Sequence, residues 1–580
     1  MVVCALAVMV LRVVDLQVLR HGQYQQDANQ QLRSTITVPA IRGGIFDRNG
    51  AVLAMSVPTK EIIADNFQIT QPVQEAIALA PLLGQSAVKV EAQLRRHTGY
   101  VVLATHIAST TASKIAHNHF PGITMVDTSK RFVPNGALGA SVIGVTNAAG
   151  IGAGGLEYQF QKLLAGSNGT TTLLETPFGV SVPQTKATTT NAAVPGTGIE
   201  LTLDQPLQYV TEQALGQEIA SSHALSGTAI VMDTRTGQIL SMASLVATGQ
   251  PTTGPVPAPL SSGIASGVPG IDEAMNNLAV TQTYEPGSVF KLVTFSAALS
   301  QGLITPTTAF AIPSQVTVDG SVFHDAEMHG AESLSAEQIL AQSSNIGTYE
   351  IANNVGETSL LSQVERLGFG QPTGLLFPGE SNGLLMTQTA WQPTDMAALP
   401  IGQVDSATPM QVLDAYNAVA NGGIFVNPQL VRATVTANGT LSKNSPSSHR
   451  QVMTPAVAAT LNTMLQQVIT SGTGAKAAIP GYVIAGKTGT ASIPNATSTG
   501  YVAGAYNASF VGFAPANNPV FSAIVVLQRP TPDYFGGDVG APVFAKIMSY
   551  ALHRYGIPTS PGGSGAQLAA ATKNSTAEST

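Results

Sequence analysis

Three short motifs, Ser288-Val289-Phe290-Lys291, Ser343-Ser344-Asn345 and Lys487-Thr488-Gly489-Thr490, follow one another in this order along the chain. Each is weak alone, since a Ser-x-x-Lys arises by chance in a chain of 580 residues and then reads as a surface helix pair. The ordered trio is far rarer. It constrains the fold more than any other feature, because residues that serve one chemistry from distant stretches of sequence must be brought together by a stable tertiary scaffold.

Ser288 follows Pro286-Gly287 and precedes an apolar helical run, Val289 to Leu299. Residues three apart share a helix face, so Ser288 and Lys291 can meet. A serine hydroxyl attacks only when a neighbour takes its proton, and a lysine can do so only if burial or nearby positive charge lowers its pKa. Lys487 is a source for that second charge. The start of a helix also favours developing negative charge at Ser288. In Ser343-Ser344-Asn345, a hydroxyl and an amide one residue apart can relay a proton and hold a substrate amide; read alone, the triplet is a helix cap or a turn. Lys487-Thr488-Gly489-Thr490 ends the apolar strand Val483 to Gly486. Glycine in a strand marks close approach of another backbone, and an extended peptide can add to such an edge while the lysine and threonines hold its carboxylate. Read alone, this motif is a hairpin turn.

The segment His324-Asp325-Ala326-Glu327-Met328-His329 superficially resembles a metal cluster, but its spacing fits no zinc motif and a solvated loop is expected. His117 and His119 are weaker still. No metal and no cofactor is assigned.

A chain of 580 residues requires two or more folded units. Charged residues make up 10% and the net charge is −7, which gives no support to nucleic-acid binding. The single cysteine, Cys4, excludes an intramolecular disulfide. It lies in an apolar run, Met1 to Leu11, that is shorter than the ~20 residues needed to span a bilayer and carries neither a preceding basic region nor a cleavage site. The expectation is the outer part of an uncleaved membrane anchor, with the native reading frame supplying a basic segment and roughly ten more apolar residues upstream of Met1. An in-frame stop immediately before Met1, with stable membrane insertion of the chain as written, would refute that.

A polar, helix-compatible stalk is expected from Asp15 to about Arg33. Asn49-Gly50 predicts a hairpin between the apolar stretches of Arg42 to Ala54. Tyr158 to Ala165 is a predicted helix closed by Gly166. Ile199 to Leu203 alternates as a strand, Asp204 can cap, and Leu207 to Ile219 has helical spacing. Thr228 to Met232 and Gln238 to Ala243 form a second predicted hairpin, and Gln250 to Gly270 a Pro/Gly/Ser-rich loop. Tyr482 to Thr490, Ala508 to Phe513 and Phe521 to Leu527 read as further strands. Five strands flanked by helices give an α+β layer architecture.

With these residues in view, the chain resembles a class B penicillin-binding protein from the apolar N-terminus to about Tyr555. The N-terminal marks are Arg42-Gly43 through Asp47-Arg48-Asn49-Gly50 to Leu53-Ala54, and Gly152 through Gly155-Leu156-Glu157 to Gly166. Around the motifs, Tyr284-Glu285-Pro286-Gly287-Ser288, Gly402-Gln403, Thr408-Pro409-Met410-Gln411, Gly472-Thr473-Gly474 and Ala485 to Ala491 are also similar to that family. The long Gln250 to Gly270 loop departs from it, since relatives often carry a shorter acidic segment there.

The resemblance implies an antiparallel sheet flanked by helices, of the penicillin-binding-protein and β-lactamase type, preceded by an elongated N-terminal module. In outline, 1–20 is a partial anchor, 21–194 a non-catalytic pedestal or dimerisation-type module, 195–555 the transpeptidase domain and 556–580 a disordered tail. Ser288 becomes the nucleophile and Lys291 its base, with Ser343 and Asn345 assisting. Lys487, Thr488, Gly489 and Thr490 line the substrate strand, and the backbone N–H groups of Ser288 and Thr490 form the oxyanion hole.

The implied activity is a D,D-transpeptidase that cross-links peptidoglycan stem peptides and is acylated by β-lactams. Its place is the extracytoplasmic side of a bacterial membrane, single-pass, beside a polytopic glycan polymerase and other division proteins. The spacing after Leu53-Ala54, the segment Ser56 to Asp65 and the absence of a glycosyltransferase module are most similar to septal enzymes, with the elongation-type sister next. A β-lactam hydrolase or sensor, or a silent division scaffold, are the remaining alternatives.

Overall fold

Asp47 shows how local chemistry starts this fold. In the computed structural model, which describes residues 2–24, 33–174 and 188–561, its carboxylate accepts the Asn49 and Ala51 N–H groups, each at 2.8 Å. This tightens the expected hairpin between Ile45–Phe46 and Val52–Ala64. The second strand runs on for 13 residues and pairs with Val101–Ala108 and Ile123–Phe132. Helices Pro72–Leu83, Ala87–Leu94 and Ser109–His117 pack here around a small core with Ile62, Leu79, Val90 and Leu103.

The family-like marks of this module converge on one carboxylate. Glu157 takes Arg42 Nε at 2.6 Å and Arg131 Nε at 2.7 Å, with all three side chains largely buried. Two cations around one anion, with Arg42 also bonded to Gln161, keep this buried charge paired. The helix expected at Tyr158 to Ala165 starts earlier and is broken at Phe160 into Gly155–Gln159 and Gln161–Leu164.

The helix Val2–Val14 spans about 20 Å at 1.5 Å per residue. Among the described residues no helix is long and apolar enough to cross a membrane. Part of the expected stalk, 25–32, lies outside the described residues. So does the expected disordered tail from 562 onward. Gly556 to Ser560, assigned to that tail, is instead tied down: Tyr482 donates to the Ile557 carbonyl and Ser560 N–H to the Gly481 carbonyl.

All five strands expected in the C-terminal half are present, in an antiparallel sheet of seven. Its order is Ser261–Ala265, Ile271–Ala274, Ile239–Ala247, Ser226–Asp233, Phe521–Gln528, Tyr501–Ala514, Ala485–Pro494. Ser261–Ala265 falls inside the segment expected to be loop. Its Ser-Ser-Gly texture has no apolar alternation, and its strand state comes from pairing with Ile271–Ala274 and from Ser261 bonded to Asp272. The sheet is buried on both faces: Ala508 and Phe510 meet helices Gln205–Ser221 and Gly536–Arg554, while Val511 and Phe513 join the core of the helices bearing Phe295, Tyr416 and Leu461.

Asp204 caps Gln205–Ser221 by accepting Leu207 N–H at 3.1 Å. The preceding strand, Gly198–Leu201, does not enter the seven-stranded sheet. It pairs parallel with Ile45–Phe46 and antiparallel with Val431–Val435, and so links the N-terminal module to the C-terminal half.

Candidate active site

Ser288 lies in a 3-10 turn, Gly287–Phe290, that leads directly into the α-helix Lys291–Ser300. In a 3-10 turn the side chains at i and i+3 eclipse, which brings Ser288 and Lys291 to one side more directly than an α-helix would. Ser288 is half-buried and Lys291 is fully buried. Lys291 Nζ donates to Asn345 Oδ1 at 2.8 Å, to Ser343 Oγ at 3.2 Å and to the Ser343 carbonyl. Burial draws its pKa down to about 7, against the opposing charge of Asp325.

The second motif is both cap and site. Ser343 takes a left-handed conformation (φ 65°) that closes the helix Ala336–Gln342 and turns its carbonyl and hydroxyl toward Lys291. Ser344 then caps the next helix, Asn345–Val355, by accepting Gly347 N–H at 2.9 Å. The cap reading and the chemical reading of this triplet therefore hold together, on alternate residues.

Asp325 corrects the expectation of a solvated loop. Its carboxylate is buried and accepts Ser344 Oγ at 2.7 Å, Ile346 N–H at 3.0 Å and the Asn345 N–H. His329 Nε2 closes on it at 3.0 Å, and Asn345 Nδ2 donates to the His324 carbonyl at 3.1 Å. A carboxylate at a helix N-terminus satisfies otherwise orphaned N–H groups and suits the helix dipole. Asp325 thus braces the helix that carries Asn345, a role hidden in the sequence by the residues separating the two.

The third motif lies on Ala485–Pro494, the edge strand of the sheet, and no strand pairs with its outer side among the described residues. Lys487 is fully buried, with Nζ at 3.2 Å from the Thr488 carbonyl. Burial first, then the charge of Lys291, hold it well below the usual lysine range. Burial, one of the two causes expected, is the leading one for both lysines, whereas the charge of Lys487, offered as the other, is not among the causes of the Lys291 shift. Thr488 shares a 2.6 Å hydrogen bond with Thr473 of the Gly472-Thr473-Gly474 segment, and Thr490 Oγ1 accepts Gly536 N–H at 3.1 Å.

Gly489 meets the close approach expected of it, and the neighbours are segments of this chain. A Cβ there would sit 2.4 Å from Ser509 Oγ and 3.0 Å from the Pro286 carbonyl oxygen, so the glycine lets the Ser288 turn close against the strand. Gly402 plays the same part on the other side: a Cβ there would fall 2.1 Å from the Gly287 carbonyl oxygen, and its own carbonyl accepts Gly287 N–H at 3.0 Å. Beside Gly536, Tyr534 stacks on Tyr506 with ring centroids 4.5 Å apart and meets Phe535 at 4.6 Å.

A serine turn carrying a buried lysine, a Ser/Asn helix start and an open strand edge with a second buried lysine define an active-site serine acyltransferase of the penicillin-recognising class. Residues 227–549 match the family model described as the penicillin binding protein transpeptidase domain, and residues 37–201 that of the penicillin-binding protein dimerisation domain. The chain belongs to the penicillin-binding protein transpeptidase family, in its class B form.

It is 31% identical to penicillin-binding protein PbpB of Mycolicibacterium smegmatis, over 96% of this chain and 90% of that one. It is 29% identical to the peptidoglycan D,D-transpeptidase FtsI of Escherichia coli, over 96% and 91%. The crystal structure of penicillin binding protein 3 from Mycobacterium tuberculosis in complex with aztreonam superposes with a TM-score of 0.69, at 28% identity, over 91% of this chain and 98% of that one.

Proposed function

We propose that this chain is a membrane-anchored serine D,D-transpeptidase of septal cell-wall synthesis, which cross-links peptidoglycan stem peptides through an acyl-enzyme and is acylated by β-lactams. The observation that carries this reading is the meeting of Ser288, a lysine held at about 7, and an unpaired strand edge at one turn. The names of the relatives PbpB and FtsI support the septal role. The exposed apolar side chains of Val2–Val14, among them Leu6, Met9 and Leu11, support a single-pass anchor in the bacterial cell membrane with the catalytic half on the extracytoplasmic side. A polytopic glycan polymerase and other division proteins are the partners this role requires.

In the proposed reaction the donor peptide extends along Ala485–Pro494, its terminal carboxylate held by Lys487, Thr488 and Thr490. Ser288 Oγ attacks the carbonyl carbon of the D-Ala-D-Ala amide as its proton passes to neutral Lys291. The backbone N–H groups of Ser288 and Thr490 hold the oxyanion. When the C–N bond breaks, the proton leaves through Ser343 to the departing D-Ala amine, and the donor remains as an ester on Ser288. The amine of a neighbouring stem peptide then displaces Ser288, forming the cross-link and restoring the hydroxyl. With a β-lactam the broken amide stays tethered and the ester persists.

A fluorescent penicillin tests this reading through the lifetime of the adduct. A persistent label is expected, rapid turnover identifies a hydrolase, and absence of label a silent scaffold.

Lys487→Ala is expected to slow acylation by about 10²-fold. Because burial dominates the Lys291 shift, the midpoint of the acid limb should move little. A large upward displacement would show that Lys487's charge, rather than burial, sets the base. For Asp325→Ala we predict loss of about 1–3 kcal/mol of stability, since donors at the start of Asn345–Val355 are left unsatisfied. Acylation should fall with it as Ser343 and Asn345 lose their fixed positions. Chemical denaturation and acylation kinetics on one preparation check both, and a wild-type acylation rate would count against the brace.

A further inference from the structure

We propose that Glu285 is a positioning residue for the nucleophile, bridging the turn that carries Ser288 to the Gly402–Ala407 loop and to Tyr501. The inference rests on Ser288 being the nucleophile. Glu285 is buried three residues ahead of Ser288, and its two carboxylate oxygens go to different segments. Oε1 accepts the Val404 N–H at 3.2 Å and Oε2 accepts the Tyr501 hydroxyl at 2.9 Å.

The loop it holds does not rest there by local preference. Val404 sits at φ 78°, where a β-branched residue is strained, and such strain persists only when the surroundings over-determine it. Asp405, the next residue, is buried with one carboxylate oxygen lacking a partner, and burial lifts it to about 6. This costly segment is pinned to the nucleophile turn at both ends, through Gly287 N–H on the Gly402 carbonyl and through paired bonds between Tyr284 and Ala407, each at 3.0 Å. Glu285 supplies the tie between those ends.

Tyr501 brings in the third segment. It begins Tyr501–Ala514 and pairs with Pro494, at the far end of the strand that carries Lys487 and Thr490. One carboxylate therefore sets the spacing between the serine turn, the loop behind it and the hairpin beside it. Burial pushes the Glu285 carboxyl up, and the bonds from Tyr501 and Val404 oppose that rise. Reaction geometry is sensitive to such spacing, because a displacement of about 1 Å away from the reacting atoms can cost on the order of 10²-fold in rate.

The test uses the full chain with Glu285→Ala, Tyr501→Phe and the double variant. Penicillin acylation is followed over a range of concentrations, so that the pre-covalent dissociation constant and the limiting rate are separated, with thermal denaturation alongside. Glu285→Ala, which removes both acceptor oxygens, is expected to lower the limiting rate by about 10–100-fold and to change the dissociation constant by less than about threefold. Tyr501→Phe lowers the limiting rate less, and the double variant is no slower than Glu285→Ala, because the bond from Tyr501 is already lost with the carboxylate. A wild-type limiting rate in folded Glu285→Ala overturns the proposal, and so do fully additive effects. If Glu285→Ala does not fold, Tyr501→Phe decides alone: its residue is half-exposed, and an unchanged limiting rate overturns the bridge. Labelling that survives Ser288→Ala would instead overturn the nucleophile assignment itself, and separates that failure from this one.

Discussion

Ser288→Ala is expected to abolish covalent penicillin labelling while changing folding stability by less than about 0.5 kcal/mol. Ser288 is half-buried, and among the described residues no hydrogen bond ties down its hydroxyl. Removing one oxygen there opens no large cavity and orphans no partner. What disappears is the proposed nucleophile itself, so the expected loss is total rather than graded. Reversible binding should survive, because Lys487 and the open strand edge are untouched. Mass spectrometry of the intact protein after penicillin treatment decides the matter: an adduct on Ser288→Ala at the wild-type rate would assign the nucleophile elsewhere.

Lys291→Met should reduce acylation by on the order of 10³–10⁴-fold, the upper range for removal of a general base. Methionine keeps much of the buried stem's volume, which separates loss of the amine from collapse of the site. The wild-type pH profile carries the second half of the prediction. Lys291 serves as a base only when neutral, and its pKa of about 7 means that the acylation rate rises with pH through that value and levels off above it. In Lys291→Met the same limb should flatten. A wild-type limb with its midpoint near 10 would mean that burial does not tune this lysine, and a residual limb at about 7 in the variant would place the titrating base on another group.

The elements legible in the sequence are those made by contacts within a few residues. The Asp47 to Ala51 turn and the Asp204 cap both close over two to four positions. The placing of Ser288 and Lys291 three positions apart, where one turn runs into a helix, is local for the same reason. Apolar runs bounded by turn residues located five strands of the large sheet. Their limits moved in the structure, as with the edge strand, which begins at Ala485 rather than Tyr482.

Other features had no local signal. Asp325 acts on residues 19 to 21 positions away, in a loop whose composition suggested only solvation. Ser261–Ala265 becomes a strand because Ile271–Ala274 lies beside it, and Gly198–Leu201 joins a different sheet because Ile45–Phe46 and Val431–Val435 flank it. Gly489 anticipates close approach correctly, but only packing identifies Pro286 and Ser509 as its neighbours.

The sequence by itself determined which groups the candidate site offers, because hydroxyl, amine and amide are fixed by residue type and the placing of Ser288 and Lys291 within one turn by spacing. Tertiary structure alone decided how those groups behave. The pKa of Lys291 depends on water being excluded by helices and strands distant in the chain, and the open edge beside Lys487 on which strand the sheet leaves unpaired. Desolvation and strand pairing are properties of the packed whole, and no window of sequence contains them.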